Sequence, residues 1–235
     1  MKKLLSVCAF ALLTQSLSAH QFFIKQEAND YKVGFWADDH WGQYQADKIF
    51  GVKAYSKDGK AIKNSGFDYQ NAKVFASGDV YAMSIMYDFG YYTFTPKGHF
   101  SQKRSDITDK EGANEVVQTR KIYKIGKSIF KWDEKVANLG LKFEIVPLQN
   151  PLALKVGDKL KVRVLLDGKP VSGVDFEDQN DDIDDVSTNA KGEATLTLRT
   201  PKDGLQIIAA GIKMPNLDKD ADTLQLTATL SFKNK

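Results

Sequence analysis

Three histidines carry most of the chemistry this chain can offer: His20, His40 and His99. The first matters most, because the residues before it read as a secretory signal peptide. Lys2 and Lys3 form a charged start, Leu4 to Leu13 an apolar run, and Leu17-Ser18-Ala19 a small-residue exit. Cleavage after Ala19 makes His20 the first residue of the mature chain. An N-terminal histidine offers two nitrogen ligands, the α-amino group and Nδ1, which close a chelate ring on a metal. Imidazole suits nickel, copper, zinc and iron. His40 lies in Asp38-Asp39-His40-Trp41 and His99 follows Pro96-Lys97-Gly98. Both segments read as loops, where sites tend to lie. The candidate metal set is therefore His20, His40 and His99. Asp38 or Asp39 would add an oxygen ligand or orient an imidazole from behind. The competing reading of His40 and His99 is a solvated loop histidine. Each imidazole must be neutral to bind, so acidification to about pH 5 is expected to release the metal.

Other ligand and nucleophile types are scarce. The single cysteine, Cys8, falls inside the signal peptide. The mature chain then has neither disulfide nor thiolate, so any transition-metal site must use nitrogen and oxygen. An exported protein without cysteine also avoids misoxidation. No Gly-x-Ser-x-Gly elbow or Gly-rich phosphate loop is present. The formal net charge is only +3 and falls further once Lys2 and Lys3 are removed. With so small a net charge, nucleic acid is not an expected partner. A second concentration of ligand types is Asp175 to Asp185, DFEDQNDDIDD. Carboxylates on a flexible loop can hold calcium, but the spacing is not that of an EF-hand. The reading favoured for it is a solvated acidic loop between strands, with a role as a collector of cations as the milder functional alternative.

The elements that must position these residues read as β-strands. Gln21 to Lys25, Tyr31 to Trp36, Ile49 to Tyr55 and Val80 to Tyr87 are strand segments, the last broken by Asp88-Phe89-Gly90. Tyr91 to Thr95 follows. Glu115 to Lys135 reads as a strand with a long turn, or as a helix around Trp132 to Leu139. Leu141 to Val146 is a further strand, and the two prolines of Pro147 to Pro151 mark a stiff linker. Beyond it Leu160, Val162 and Val164 alternate with Lys159, Lys161 and Arg163. Regular short strands follow at Val171 to Phe176, Ala194 to Leu198, Gln206 to Ile212 and Leu224 to Phe232. This pattern predicts a mainly β protein of two sandwich-like domains. The expected divisions are a signal peptide at 1–19, an N-terminal domain with the metal site at 20–146, and a C-terminal sandwich at 147–235. The apolar run at the start is about ten residues, too short for a membrane span, which needs roughly 20.

The stretch Asn150 to Val174, NPLALKVGDKLKVRVLLDGKPVSGV, resembles the second half of an exported bacterial family. Its members are domain-of-unknown-function proteins, also described as periplasmic nickel-uptake components. The lead-in Phe143 to Leu148, the turn Ala190 to Ala194, the close Asp222 to Phe232 and the start Ala19 to Ile24 are similar to the same family. Gln21 stands where an acid is more usual. The resemblance implies a C-terminal sandwich of the transthyretin or carboxypeptidase-regulatory type. It also implies transition-metal handling, usually of nickel, with cobalt as a further candidate.

Three functions follow as expectations. The first is a non-catalytic periplasmic nickel-binding protein that buffers the metal or passes it to an inner-membrane importer. The second is a copper enzyme with a histidine brace, and the third a metal-free ligand-binding sandwich. Nitrogen-rich sites of this kind suit nickel(II) or copper(II).

Overall fold

The computed structural model describes residues 20–28, 30–37, 40–216 and 219–235. The expected signal peptide and the candidates Asp38 and Asp39 lie outside the described residues. The protein is mainly β. Among the described residues there is no α-helix, only short 3-10 turns. None of them forms a helix long and apolar enough to cross a membrane.

The first half supplies nine strands, β1 (Gln21–Glu27), β2 (Asp30–Ala37), β3 (His40–Trp41), β4 (Ile49–Tyr55), β5 (Ser65–Asp68), β6 (Lys73–Ala76), β7 (Ala82–Thr95), β8 (Gly98–Phe100) and β9 (Gln118–Ile129). The second half supplies β10 (Phe143–Pro147), β11 (Lys159–Leu166), β12 (Lys169–Pro170), β13 (Asp175–Asp178), β14 (Asp182–Ser187), β15 (Glu193–Thr197), β16 (Gln206–Pro215) and β17 (Thr223–Phe232). They form three sheets. The largest runs β14-β13-β16-β17-β9-β7-β4, with β8 paired to β7. A second runs β1-β2-β6-β5, with β3 on β2, and a third is β10-β11-β12, with β15 on β11.

The large sheet is the middle layer. One face receives β1, where Phe22 and Ile24 pack with Ile49 and Val52 of β4 and Met83, Ile85 and Tyr87 of β7. The other face meets the third sheet, where Ile125, Leu226, Ala228 and Leu230 pack against Phe143, Ile145, Leu160, Val162 and Val164. Period-2 alternation makes both faces possible, since successive side chains leave a strand in opposite directions. The expected boundary at 146/147 falls at the end of β10. The large sheet draws strands from both sides of it, and β17 joins β9 in a parallel register, Thr223 beside Arg120 through Phe232 beside Ile129.

Two local expectations change, and one open alternative is decided. Asp88-Phe89-Gly90 does not end a strand; it is a bulge inside the continuous β7, where the register to β9 shifts. Of the two readings of Glu115 to Lys135, the strand holds as β9, and in place of the alternative helix around Trp132 to Leu139 there is a single 3-10 turn, Glu134–Val136, capped by Asp133. The acidic segment after Asp178 is not all loop, because Asp182–Ser187 pairs back on β13 as an edge strand. Its charged side chains suit an unpaired edge, which they protect from further strand addition.

Candidate metal centre

His20 sits immediately before β1, and the position of β1 depends on one glycine. A Cβ on Gly126 would come within 2.1 Å of the Phe22 carbonyl oxygen and 2.9 Å of the Phe23 Cα. Only a residue without a side chain lets the two backbones approach this closely. Two residues on, the Ile24 N–H donates to Ser128 Oγ at 3.0 Å. β1 therefore runs along β9 in the same direction, which brings His20 toward Lys124.

The alternation of β1 separates its functions. His20, Phe22 and Ile24 share one side, and Gln21 and Phe23 share the other. The His20 ring lies 5.7 Å from Phe35 of β2 and 5.6 Å, edge-on, from Phe89 of β7. Phe89 is the extra residue of the β7 bulge, which re-aims a side chain that a regular strand would place elsewhere. Gly90 supports the bulge at φ +95°, and its N–H donates to Asp88 Oδ1 at 2.8 Å. Lys121 then locks Asp88 with two hydrogen bonds of 2.8 and 2.9 Å.

His40 approaches from the other side of β2. Gln21 is opposite Trp36 in the β1–β2 register, and His20 directly precedes that first pair. Ala37 is also the partner of His40. Residues directly opposite one another in an antiparallel pair point to the same face. Continued by one residue, the β1–β2 register would set His20 and His40 on either side of the small Ala37, roughly 10 Å apart at two strand spacings. β3 is held in place by Trp41, whose Nε1 donates to Asp203 Oδ2 at 2.7 Å. Its ring packs edge-on against Trp36 at 5.1 Å and carries the Lys25 ammonium at 4.2 Å.

His99 is not brought to this place. It lies on β8 opposite Phe94, and its ring stacks on Tyr92 at 5.2 Å. Phe94 is five residues along β7 from Phe89, a displacement of roughly 17 Å in an extended strand. The turn at Pro96 folds β8 back on the far end of β7, away from His20. Among the described residues no three His, Cys, Asp or Glu side chains gather closely enough to hold a metal.

Beneath Gln21 lies a buried polar layer that the sequence pattern does not announce. Lys124 and Glu177 are both buried in it. Burial pushes the Glu177 carboxyl up to about 7, against the pull of the Lys124 ammonium and the neighbouring Gln21 amide. Burial likewise lowers Lys124 to about 8, with Glu177 opposing. Lys124 donates to Thr227 Oγ1 at 3.3 Å and lies 5.4 Å from the Phe89 ring. In the sequence, Lys124 looks like an ordinary outward residue of an alternating strand. Nothing local shows that a second sheet will cover it.

The fold and these residues define a class, an all-β protein of packed sheets whose first described residue is a histidine set among aromatic rings. The chain belongs to the family described as Domain of unknown function (DUF4198), whose family model matches residues 17–213. Comparisons with curated proteins and with solved structures return no match.

Proposed function

We propose that the protein is an exported, non-catalytic transition-metal binder. It would hold nickel(II) through the α-amino group and imidazole of His20 together with His40. The observation that carries this reading is the register that sets Gln21 opposite Trp36 and His40 opposite Ala37; carried one residue further, it would bring His20 to the other side of Ala37 from His40. The aromatic surround of His20 supports it, since the Phe35 and Phe89 rings lie against the imidazole. Copper(II) or cobalt(II) would fit the same nitrogen donors. An exposed His40 at the rim suits a cargo that must be handed on, here to an inner-membrane importer from the periplasm. The resemblance of the second half to nickel-uptake components of carboxypeptidase-regulatory type agrees with that role.

Nickel titration of the mature protein by calorimetry tests the ligand set. His40→Ala is expected to weaken binding on the order of 100-fold, at or above the 10–100-fold that outer-shell partners carry. His99→Ala is expected to leave affinity unchanged. Equal losses for the two variants, or none for His40→Ala, would overturn the assignment.

A further inference from the structure

The acidic segment that reads as a solvated loop acquires a different character once folded. Glu177 pairs with Ala209 of β16 on one side and Asp182 of β14 on the other. It is 2 % exposed, and neither of its carboxylate oxygens has a hydrogen-bond partner. Gln21, 0 % exposed, gives its Nε2 to the Asp178 carbonyl at 3.3 Å and leaves Oε1 unpartnered. Gln179 is also buried, with both amide atoms unpartnered. Thr229 faces the same side through Ala209 and has an unpartnered hydroxyl. Buried polar groups are nearly always satisfied, and one left unmade costs about 1–3 kcal/mol. Glu177, Gln21 and Thr229 together, with Gln179 just past the end of β13, call for a ligand.

The chemistry of the layer selects that ligand. Acceptor oxygens dominate it: a carboxylate, amide oxygens and a hydroxyl. The charges that face it are mostly negative. Asp182 stands at its solvent end, and burial together with Asp181, Asp184 and Asp175 pushes its carboxyl up. Of the nearby cations, Arg199 is committed to Asp178, at 2.6 and 2.7 Å, and to the Asp181 carbonyl. Lys124 attracts Glu177 only at a distance, because its hydrogen bond goes to Thr227. His20 leaves β1 on the opposite side from Gln21, so no imidazole reaches this layer.

We propose that Glu177, Asp182, Gln21 and Gln179 form an oxygen-lined site for a hard divalent cation of the calcium class, distinct from the nitrogen site of His20. Calcium accepts six to eight oxygen ligands in flexible geometry and uses carboxylates, neutral oxygens and water together. Two carboxylates and amide oxygens with water completing the shell match that habit. Magnesium demands a tighter octahedron and keeps most of its own water. Glu177 supplies charge from inside, and Asp182 opens the site to solvent.

Calorimetric titration of the chelator-treated, full mature protein with calcium chloride at about 0.15 M ionic strength tests this. One calcium per chain is expected, with Kd below about 1 mM and magnesium at least tenfold weaker. Glu177→Gln keeps the shape and removes a buried charge, and it is expected to abolish the binding. Gln179→Ala, which leaves Glu177 in place, is expected to weaken it about tenfold by removing a neutral oxygen ligand. Asp185→Asn, which removes the same charge from the exposed hairpin, is expected to leave it unchanged. His20→Ala is also expected to retain calcium, so failure here and failure of the nickel reading are distinguishable. A calcium-silent wild type would overturn the proposal. So would equal losses for Glu177→Gln and Asp185→Asn, which would reduce the effect to diffuse attraction by the acidic hairpin.

Discussion

Replacing Glu144 by alanine is expected to destabilise the protein by about 3–5 kcal/mol, the cost of leaving a buried charge without its partner. Lys127 is 1 % exposed, and its ammonium donates to Glu144 Oε1 at 2.7 Å and to the Ala137 carbonyl at 2.6 Å. Burial holds Lys127 below the usual lysine range, with Glu144 opposing. The same carboxylate accepts the Leu139 N–H at 2.8 Å and the Leu141 N–H at 3.0 Å. One side chain therefore fastens β9, the connection after it and β10 together. Glu144→Ala leaves a buried ammonium without its counter-charge and strands two backbone donors at once. Urea unfolding followed by circular dichroism measures the loss. Converting the pair to Lys127→Met with Glu144→Leu is expected to recover only part of it, because both backbone donors stay unsatisfied. A loss under about 1 kcal/mol for Glu144→Ala, the level of a surface pair, would contradict this account.

Gly126→Ala is expected to act on both stability and metal binding. The added methyl would meet the Phe22 backbone oxygen at 2.1 Å and the Ile85 side chain at 2.9 Å. Neither obstacle is the free end of a flexible chain, so β1 must lift from β9. Overpacking of this kind costs about 1–3 kcal/mol, and more where backbone must move. Because His20 is positioned by β1, nickel affinity is expected to fall along with the unfolding midpoint. Gly157→Ala supplies a control for strain without contact, since Gly157 has φ +89° and nothing lies within 4 Å of the place its methyl would take. It is expected to lower stability while leaving nickel affinity intact. Unchanged nickel binding in Gly126→Ala would show that β1 does not position the site.

Much of the fold is legible in the sequence where burial is one-sided. Leu160, Val162 and Val164 are each fully buried, as their alternation with lysines and arginine requires. The strands around Tyr31, Val52 and Leu226 read correctly for the same reason. β14 does not, because Asp-Ile-Asp-Asp-Val-Ser is polar enough to pass for loop, and only pairing with β13 makes it a strand. The parallel union of β17 with β9 is equally hidden. It joins residues about a hundred positions apart, and no local turn announces it. In the site, the strands beginning at Gln21 and ending near Trp36 are readable, but the pairing of His40 with Ala37 depends on a register. The separation of His99 depends on Pro96 turning β8 back onto β7. Lys124 and Glu177 are invisible in the sequence as a buried pair, since strand alternation around Lys124 and the acidic run around Glu177 each suggest a solvent-facing charge.

The amino terminus of His20 is the ligand on which the proposed metal site turns. The most direct measurement compares nickel affinity in two forms of the protein, one beginning at His20 and one retaining Ala19. The retained residue turns the α-amino group into an amide and leaves every side chain in place. A loss of at least tenfold, about 1.4 kcal/mol, is predicted. Equal affinity for the two forms would contradict the account.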